Sequence, residues 1–176
     1  MSMHSRLVLA ASALAVVCSS AFADSPNLGR VATPEEIAGW DISIAPDGAG
    51  LPLGSGAPKR GETVYVEKCL ACHGEKGAGK PNDPLVGGRG TLIGDQVPIK
   101  TVGSFWPYAT TIFDYVRRSM PLNDSKSLTN EEVYAVVAYI LQLNGIIAED
   151  ATLDAQTLLK VRMPNRDGFD TFTRGK

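Results

Sequence analysis

The spacing of apolar and polar residues predicts a chain built from helices that are joined by long loops. The strongest helix signal covers residues 129–143, where apolar side chains recur every three or four positions and form one face. Thr129 and Glu132 predict a capping box at the start of this helix, and Gly145 predicts its end. The members of the apolar face are Val133, Val136, Val137, Ile140 and Leu141. This helix needs a partner that covers that face.

A second predicted helix offers such a partner. It covers residues 58–70 and begins with a proline, which fits the first position of a helix. Gly61 and Tyr65 lie one turn apart on one face, and the small Gly61 would let another helix cross closely. We therefore expect helix 129–143 to cross at Gly61, with Tyr139 in contact.

A third helix is predicted over residues 111–119. Thr110 or Thr111 would cap its start, and Asp114 lies in its first turn. Its last turn carries two arginines, whose positive charges match the negative end of the helix dipole.

The segments outside these helices have the composition of loops and arms. Residues 24–57 are rich in glycine, proline and alanine, so regular structure there is improbable. They form either a flexible linker or an arm along a partner surface. The arm is suggested by Trp40 and its neighbouring isoleucines, of which a solvated linker has little need. Residues 74–103 form a long loop, which is typical of a functional segment. Residues 146–176 are polar, with a short helix predicted at 152–160, and are either a frayed tail or a second arm.

The N-terminus has the pattern of a secretory leader. Arg6 gives a short basic start, residues 7–17 form an apolar run too short to span a membrane, and Ala21-Phe22-Ala23 is a cleavage site of the A-x-A type. The sequence thus predicts export to the periplasm and cleavage after Ala23, with no membrane anchor afterwards. A lipoprotein attached at Cys18 and an uncleaved anchor are the alternatives.

Residues 69–73, Cys69-Leu70-Ala71-Cys72-His73, carry the attachment signature of c-type haem. Cysteines one helical turn apart present both sulfurs on one side of the chain, where each can form a thioether with a haem vinyl group. The histidine that follows falls under the iron and serves as its proximal ligand. The sequence therefore predicts covalent haem c at Cys69 and Cys72, with His73 as an axial ligand.

Two other interpretations of the motif are a thioredoxin-like redox pair and half of a zinc site. A structural zinc site needs four cysteine or histidine ligands. Once a leader containing Cys18 and His4 is removed, only Cys69, Cys72 and His73 are left. These three residues are one ligand short of a structural zinc site, unless a carboxylate completes it. They also leave no second histidine for catalysis by ordinary side chains.

Two methionines outside the leader, Met120 and Met163, are candidates for the second axial ligand. Each precedes a proline, and the residue before proline is pushed into an extended conformation. Position decides between them, because Met120 lies between the two crossing helices and Met163 lies beyond them. We expect Met120 to bind the iron.

The long loop supplies further candidate contacts. A ligating histidine donates its other ring N–H to a carbonyl or carboxylate, and we expect the carbonyl of Pro84, rather than that of Pro81, to accept from His73. Trp106 and Tyr108 are either ordinary core residues or lie along a haem edge, where the indole N–H and the hydroxyl reach the propionates.

The charge balance excludes one class of partner. The chain carries 17 basic and 19 acidic residues, and the leader removes only Arg6. Nucleic-acid binding usually needs a basic excess, so no such binding is expected.

Residues 58–145 resemble a class I cytochrome c. The resemblance rests on Gly61 and Tyr65, the CLACH motif, the Pro-Leu pair at 84–85, a methionine before a final helix, and Ala138-Tyr139 in that helix. A longer part of the chain is similar to the cytochrome subunit of sulfane dehydrogenase. The stretches that carry this second resemblance are GWDI at 39–42, PDGAGLP at 46–52, KTVGSFWPYA at 100–109, FDYVRRSMP at 113–121 and MPNRDGF at 163–169.

The resemblance implies an all-α class I cytochrome c fold, with helices wrapped around one covalently bound haem and extended N- and C-terminal arms. It divides the chain into a signal peptide (1–23), an N-terminal arm (24–57), a cytochrome c domain (58–145) and a C-terminal tail (146–176). The resemblance further implies an electron-transfer subunit of a thiosulfate-oxidising system, in which substrate chemistry belongs to the partner. The implied partners are a molybdopterin-containing dehydrogenase subunit, which donates electrons, and an acceptor cytochrome.

Three alternative functions stay open at this point. They are a free-standing periplasmic electron carrier, the cytochrome subunit of a sulfite dehydrogenase, and a haem enzyme or sensor with an open sixth position.

Overall fold

The computed structural model describes residues 28–169, and its contacts divide the chain into one unit that ends at Gly39 and another that begins at Trp40. Helix α1 spans Pro34–Trp40. Thr33 and Glu36 cap its start reciprocally, because the Glu36 N–H donates to the Thr33 hydroxyl at 3.3 Å and the Thr33 N–H donates to the Glu36 carboxylate at 2.8 Å. The expectation that residues 24–57 lack regular structure is therefore wrong at α1.

The second unit is helical, with one short ladder of two strands. Its elements are strand β1 (Ser55–Gly56), helices α2 (Pro58–Lys68), α3 (Leu70–His73), α4 (Ala109–Ser119) and α5 (Asn130–Leu143), strand β2 (Leu153–Asp154), and 3₁₀ turns at Glu75–Gly77 and Leu158–Lys160. The strands pair antiparallel, with Ser55 opposite Asp154 and Gly56 opposite Leu153. The described chain thus has the all-α class that the resemblance implied.

Helix α5 is the centre of the fold, and its ends are set as the sequence predicted. The Glu132 N–H donates to the Thr129 hydroxyl at 3.2 Å, and the Thr129 N–H donates to the Glu132 carboxylate at 2.8 Å. Gly145, just past the helix, has a φ of 63°, a conformation that glycine adopts without a steric cost. Residues 133–141 are all buried, so neighbours cover this helix on every side and not only on its predicted apolar face.

Helices α2 and α5 cross at Gly61, as predicted. A Cβ at Gly61 would lie 1.9 Å from the carbonyl oxygen of Ala135, so only a residue without a side chain allows this approach. One turn further along α2, the rings of Tyr65 and Tyr139 lie 5.4 Å apart between centroids. The two tyrosines fill the space beside the backbone contact.

Helix α4 begins two residues earlier than predicted, at Ala109, and neither threonine caps it. Its N-cap residue is Tyr108, which makes no side-chain capping bond. The Thr110 hydroxyl instead donates to the carbonyl of Pro46 at 3.1 Å. The cap prediction is wrong because a carbonyl 64 positions away accepts the hydrogen bond of this hydroxyl.

Asp114 lies in the second turn of α4 and not in the first. It is 7% exposed, accepts a hydrogen bond from the Ile44 N–H at 2.9 Å, and forms an ion pair with Arg118. Arg117 donates to the carbonyl of Ile42 at 3.2 Å. The side chains of α4 therefore hold the extended segment around Ile44, which lies inside the predicted N-terminal arm.

The rest of that segment is held by α5. The Tyr134 hydroxyl donates to the carbonyl of Pro52 at 2.9 Å, and the Asn130 amide donates to the carbonyl of Leu53 at 3.3 Å. Residues 42–56 therefore pack on α4 and α5, and they differ in this respect from a flexible linker. The sequence missed this packing because the contacts join residues more than 70 positions apart.

The helix predicted at 152–160 is wrong. The residues form β2, a turn, and the 3₁₀ turn at Leu158–Lys160. The Asp154 carboxylate accepts from the N–H groups of Gln156 and Thr157, each at 2.8 Å, and such local bonds compete with helix formation. Three apolar residues of the predicted tail join the buried core: Leu153, Leu158 and Met163.

Among residues 28–169, no helix combines the length and the apolar character that a membrane crossing requires. The predicted leader and its cleavage site lie outside the described residues.

The helix crossing gives a direct test of this packing. We expect Gly61→Ala to lower the free energy of unfolding by about 3 kcal/mol, because the added methyl group meets backbone that cannot rotate away. Chemical denaturation followed by circular dichroism measures the effect. Gly39→Ala in α1 is the matched control: a Cβ there meets nothing within 4 Å, so the change should be at most about 1 kcal/mol. Equal stability of Gly61→Ala and the native chain would contradict the crossing.

Candidate haem-binding site

The predicted haem motif occupies the junction of α2 and α3. Cys69 ends α2, its N–H donating to the Tyr65 carbonyl at 2.9 Å, and its own carbonyl accepts from the N–H groups of Cys72 at 3.1 Å and His73 at 2.9 Å. Cys69, Cys72 and His73 therefore sit on one tight turn. Both cysteines carry free thiols; that of Cys69 packs against the core, whereas Cys72 is exposed.

The Cys69 side chain lies against the apolar core. Burial, and to a smaller degree the neighbouring Cys72, raises the pKa of Cys69 to about 11. In the described part of the chain no three His, Cys, Asp or Glu side chains cluster in a way that would hold a metal ion. Two reduced cysteines on one turn are what the formation of two thioethers with one haem requires.

His73 is oriented by a backbone carbonyl, but that of Asp83 and not that of Pro84. The ring Nδ1 of His73 lies 3.1 Å from the Asp83 carbonyl oxygen, so the prediction is wrong by one residue. The backbone explains the shift, because the Asn82 N–H donates to the carbonyl of Cys72 at 2.9 Å and folds the loop back onto the motif. With Nδ1 engaged, Nε2 is the nitrogen left to bind iron.

The start of the long loop is held by α2. The Tyr65 hydroxyl donates to the carbonyl of Gly74 at 2.8 Å, and the Gly79 N–H donates to the carbonyl of His73 at 2.8 Å. Burial raises the pKa of Tyr65 to about 12, so the hydroxyl stays a donor across the physiological range. Gly74 has a φ of 72°, which a residue with a side chain rarely adopts.

Asn144, at the end of α5, holds the middle of the loop, and the sequence reasoning missed it. Its amide donates to the carbonyl of Leu85 at 3.2 Å, and its side-chain oxygen accepts from the Gly87 N–H at 3.1 Å. Its backbone carbonyl accepts from Arg89 at 3.2 Å. An asparagine between a long helix and a glycine is a signal of a helix cap, but not of the loop that it binds.

The two candidate methionines occupy different environments. Met120 follows α4 in extended conformation, with φ −121° and ψ 143°, as its position before proline predicted. Its side chain is half-buried at the margin of the core. Met163 is 1% exposed and is one of the fully buried side chains of the core.

Trp106 and Tyr108 are half-buried, and each contacts another side chain. The Trp106 ring meets the edge of Tyr115 with centroids 5.7 Å apart, and the Arg166 guanidinium lies 4.1 Å from the Tyr108 ring centroid. The contact of Trp106 and Tyr108 with the haem propionates stays a prediction.

These residues fit haem c. Two thiols lie on one turn, and the neighbouring imidazole is fixed through Nδ1, which leaves Nε2 for the iron. Cys69 and Cys72 would hold the porphyrin covalently and His73 would bind its metal. When bound, the haem supplies one-electron chemistry through the ferrous and ferric states of its iron.

Comparisons with known proteins agree with this chemistry. The family model described as cytochrome C oxidase, cbb3-type, subunit III matches residues 56–140. A chain in the crystal structure of the sulfane dehydrogenase SoxCD from Paracoccus pantotrophus matches with a TM-score of 0.78 and 40% sequence identity, over 85% of this chain and 74% of that one. No curated protein sequence matches significantly.

A similarity of this identity and coverage is shared by members of one family, and the motif, the fold and the matched family model all point to haem c as the cofactor. The chain therefore belongs to the class I cytochrome c family, as an electron-transfer cytochrome similar to a chain of that sulfane dehydrogenase.

Proposed function

We propose that this chain is a monohaem cytochrome subunit that accepts electrons from a molybdopterin-containing sulfur-compound dehydrogenase of the sulfane dehydrogenase type. It passes them to another cytochrome. The observation that carries the proposal is the 40% identity, over 85% of the chain, to a chain of a sulfane dehydrogenase. A single Cys-x-x-Cys-His motif in the sequence supports one covalent haem, bound through Cys69 and Cys72.

The proposed axial ligands are His73 and Met120. The fixed ring of His73 supports the first assignment. The second is supported by the environments of the methionines, because Met120 is only half-buried whereas Met163 already fills the core. A thioether ligand raises the reduction potential relative to two nitrogen ligands, which suits an acceptor of electrons from a molybdenum centre. Trp106 and Tyr108 are proposed to line the haem edge.

The N-terminal segment supports a stable partner. Leu28, Val31 and Ile37 are 88%, 91% and 53% exposed. Apolar side chains that stay in water on one stretch of chain are typical of a surface that a partner covers. We propose that residues 28–39 of the N-terminal arm bind the dehydrogenase subunit.

The proposed compartment is the periplasm. The predicted leader directs export and is removed after Ala23. Attachment of haem through thioethers takes place outside the cytoplasm in bacteria, so the motif and the leader agree. Substrate chemistry on the sulfur compound belongs to the partner. His73 is the one histidine beyond the leader, and it is assigned to the haem iron, so none is left for catalysis.

The axial methionine is tested by two matched substitutions. We expect Met120→Leu to abolish the sulfur-to-iron charge-transfer band of the oxidised protein and to lower its reduction potential, because leucine offers no sulfur to the iron. Met163→Leu should keep the band and cost less than about 1.5 kcal/mol of stability, since the two side chains have similar volumes. Absorption spectroscopy and redox titration measure both. Loss of the band in Met163→Leu instead would contradict the assignment, and its absence from the native protein would favour an open sixth position.

The subunit role is tested by isolating the protein from its native cells. We expect it to elute with a larger molybdenum-containing protein at a fixed stoichiometry, and the haem to become reduced when a compound that carries sulfane sulfur is added. Elemental analysis for iron and molybdenum and the absorption spectrum of the reduced haem measure this outcome. Elution as a monomer without molybdenum would favour the free-standing carrier, whereas reduction by sulfite alone would favour a sulfite dehydrogenase.

A further inference from the structure

A basic and aromatic surface covers the C-terminal segment where it meets the loop that carries Trp106. We call it the C-terminal basic patch; it consists of Lys100, Lys160, Arg162 and Arg166, with the rings of Phe105, Tyr108 and Phe169 among them. The proposed haem site uses Tyr108 but none of these cations.

Contacts on the loop hold the patch in place. The Asn165 amide donates to the carbonyl of Phe105 at 2.7 Å. The Phe105 and Phe169 rings meet edge to face with centroids 5.3 Å apart. Met163, which is 1% exposed, anchors the same segment in the core. The segment is thus part of the folded unit, and its charges have defined positions.

The cations of the patch are available to a partner. The Lys100 ammonium lies 5.0 Å from the Phe105 ring centroid, and the Arg166 guanidinium lies over Tyr108. Arg162 pairs with Asp167, but both side chains are about three-quarters exposed, at 76% and 75%. An ion pair as exposed as this one is worth little, so a partner can replace Asp167.

The surface is concave as well as charged. Lys160, Arg162 and Arg166 line an open depression of about 180 Å³, together with Leu159 and Val161. The chain as a whole has a formal charge of −2, so this local positive charge is opposite in sign to that of the molecule. One of the lining arginines, Arg166, lies over the Tyr108 ring, and arginine and aromatic side chains are enriched at interfaces.

We propose that the C-terminal basic patch is the docking surface for an acidic electron-acceptor protein, whose carboxylates enter the depression between the cations. The proposal rests on the proposed electron-transfer function. Charge favours an acceptor over the dehydrogenase subunit here, because transient redox complexes are small and steered by charge. A stable subunit interface is larger and more apolar. The exposed residues of the N-terminal arm have this apolar character.

A gold electrode coated with a carboxylate-terminated monolayer serves as the acidic surface in the test. We expect the haem-loaded native protein to exchange electrons with it at low ionic strength. Lys160→Glu/Arg162→Glu should lower the exchange rate at least about tenfold, in the range that electrostatic steering provides. The loss should disappear in about 1 M salt, where charges are screened within about 3 Å.

Lys59→Glu/Arg60→Glu at the start of α2 is the matched control, because it makes the same change in net charge outside the patch. We expect this variant to keep the native rate within about twofold. Equal losses in both double variants, or native behaviour of Lys160→Glu/Arg162→Glu, would overturn the docking proposal. A native protein with no haem redox wave in free solution would instead overturn the proposed function, and the docking proposal with it.

Discussion

Helices α2 and α5 touch through their backbones at Gly61, and the position of the haem motif depends on this contact. Because Gly61 has no side chain, the carbonyl of Ala135 can approach its backbone closely. A Cβ at Gly61 would lie only 1.9 Å from that carbonyl oxygen. Cys69 ends α2 two turns later, so the crossing also sets where the first cysteine of the motif lies relative to α5. Tyr65, between Gly61 and Cys69, packs on Tyr139 and donates to the loop at Gly74. One helix thus carries the crossing, the first cysteine and the first support of the loop.

The loop after the motif is fixed at several points and from different elements. Tyr65 of α2 holds its start, the carbonyl of Asp83 orients His73, and Asn144 after α5 holds Leu85. A histidine whose ring is fixed by a second bond changes little when its metal changes charge. Rigid support of this kind suits electron transfer, in which the protein holds its cofactor and moves little.

Features that depend on neighbouring residues could be predicted from the sequence. The capping box of α5, the stop at Gly145 and the extended Met120 each follow from two or three adjacent side chains. The crossing at Gly61 was also predictable, because a small residue on one helix face fits an apolar face elsewhere. Features that depend on distant backbone were not. Thr110 donates a hydrogen bond to the carbonyl of Pro46 instead of capping α4. No local sequence pattern indicates such a bond.

The same limit explains the two segments that flank the haem-binding part of the chain, and the histidine contact. Residues 42–56 and 153–163 are rich in turn formers and polar residues, yet they pair through β1 and β2 and supply Leu153 and Met163 to the core. The carbonyl of Asp83, and not that of Pro84, contacts the His73 ring, because the hydrogen bond of the Asn82 N–H folds the loop back onto the motif. Composition describes what a segment can do alone, whereas these segments are ordered by what they contact.

Covalent haem at Cys69 and Cys72 is the central claim, and intact-protein mass spectrometry of the chain matured in bacteria tests it most directly. We predict that the native chain carries the mass of one haem, that this mass survives acid–acetone extraction, and that Cys69→Ser/Cys72→Ser loses it. Extraction of the haem from the native chain, or a chain without haem in cells that mature other c-type cytochromes, would contradict the account.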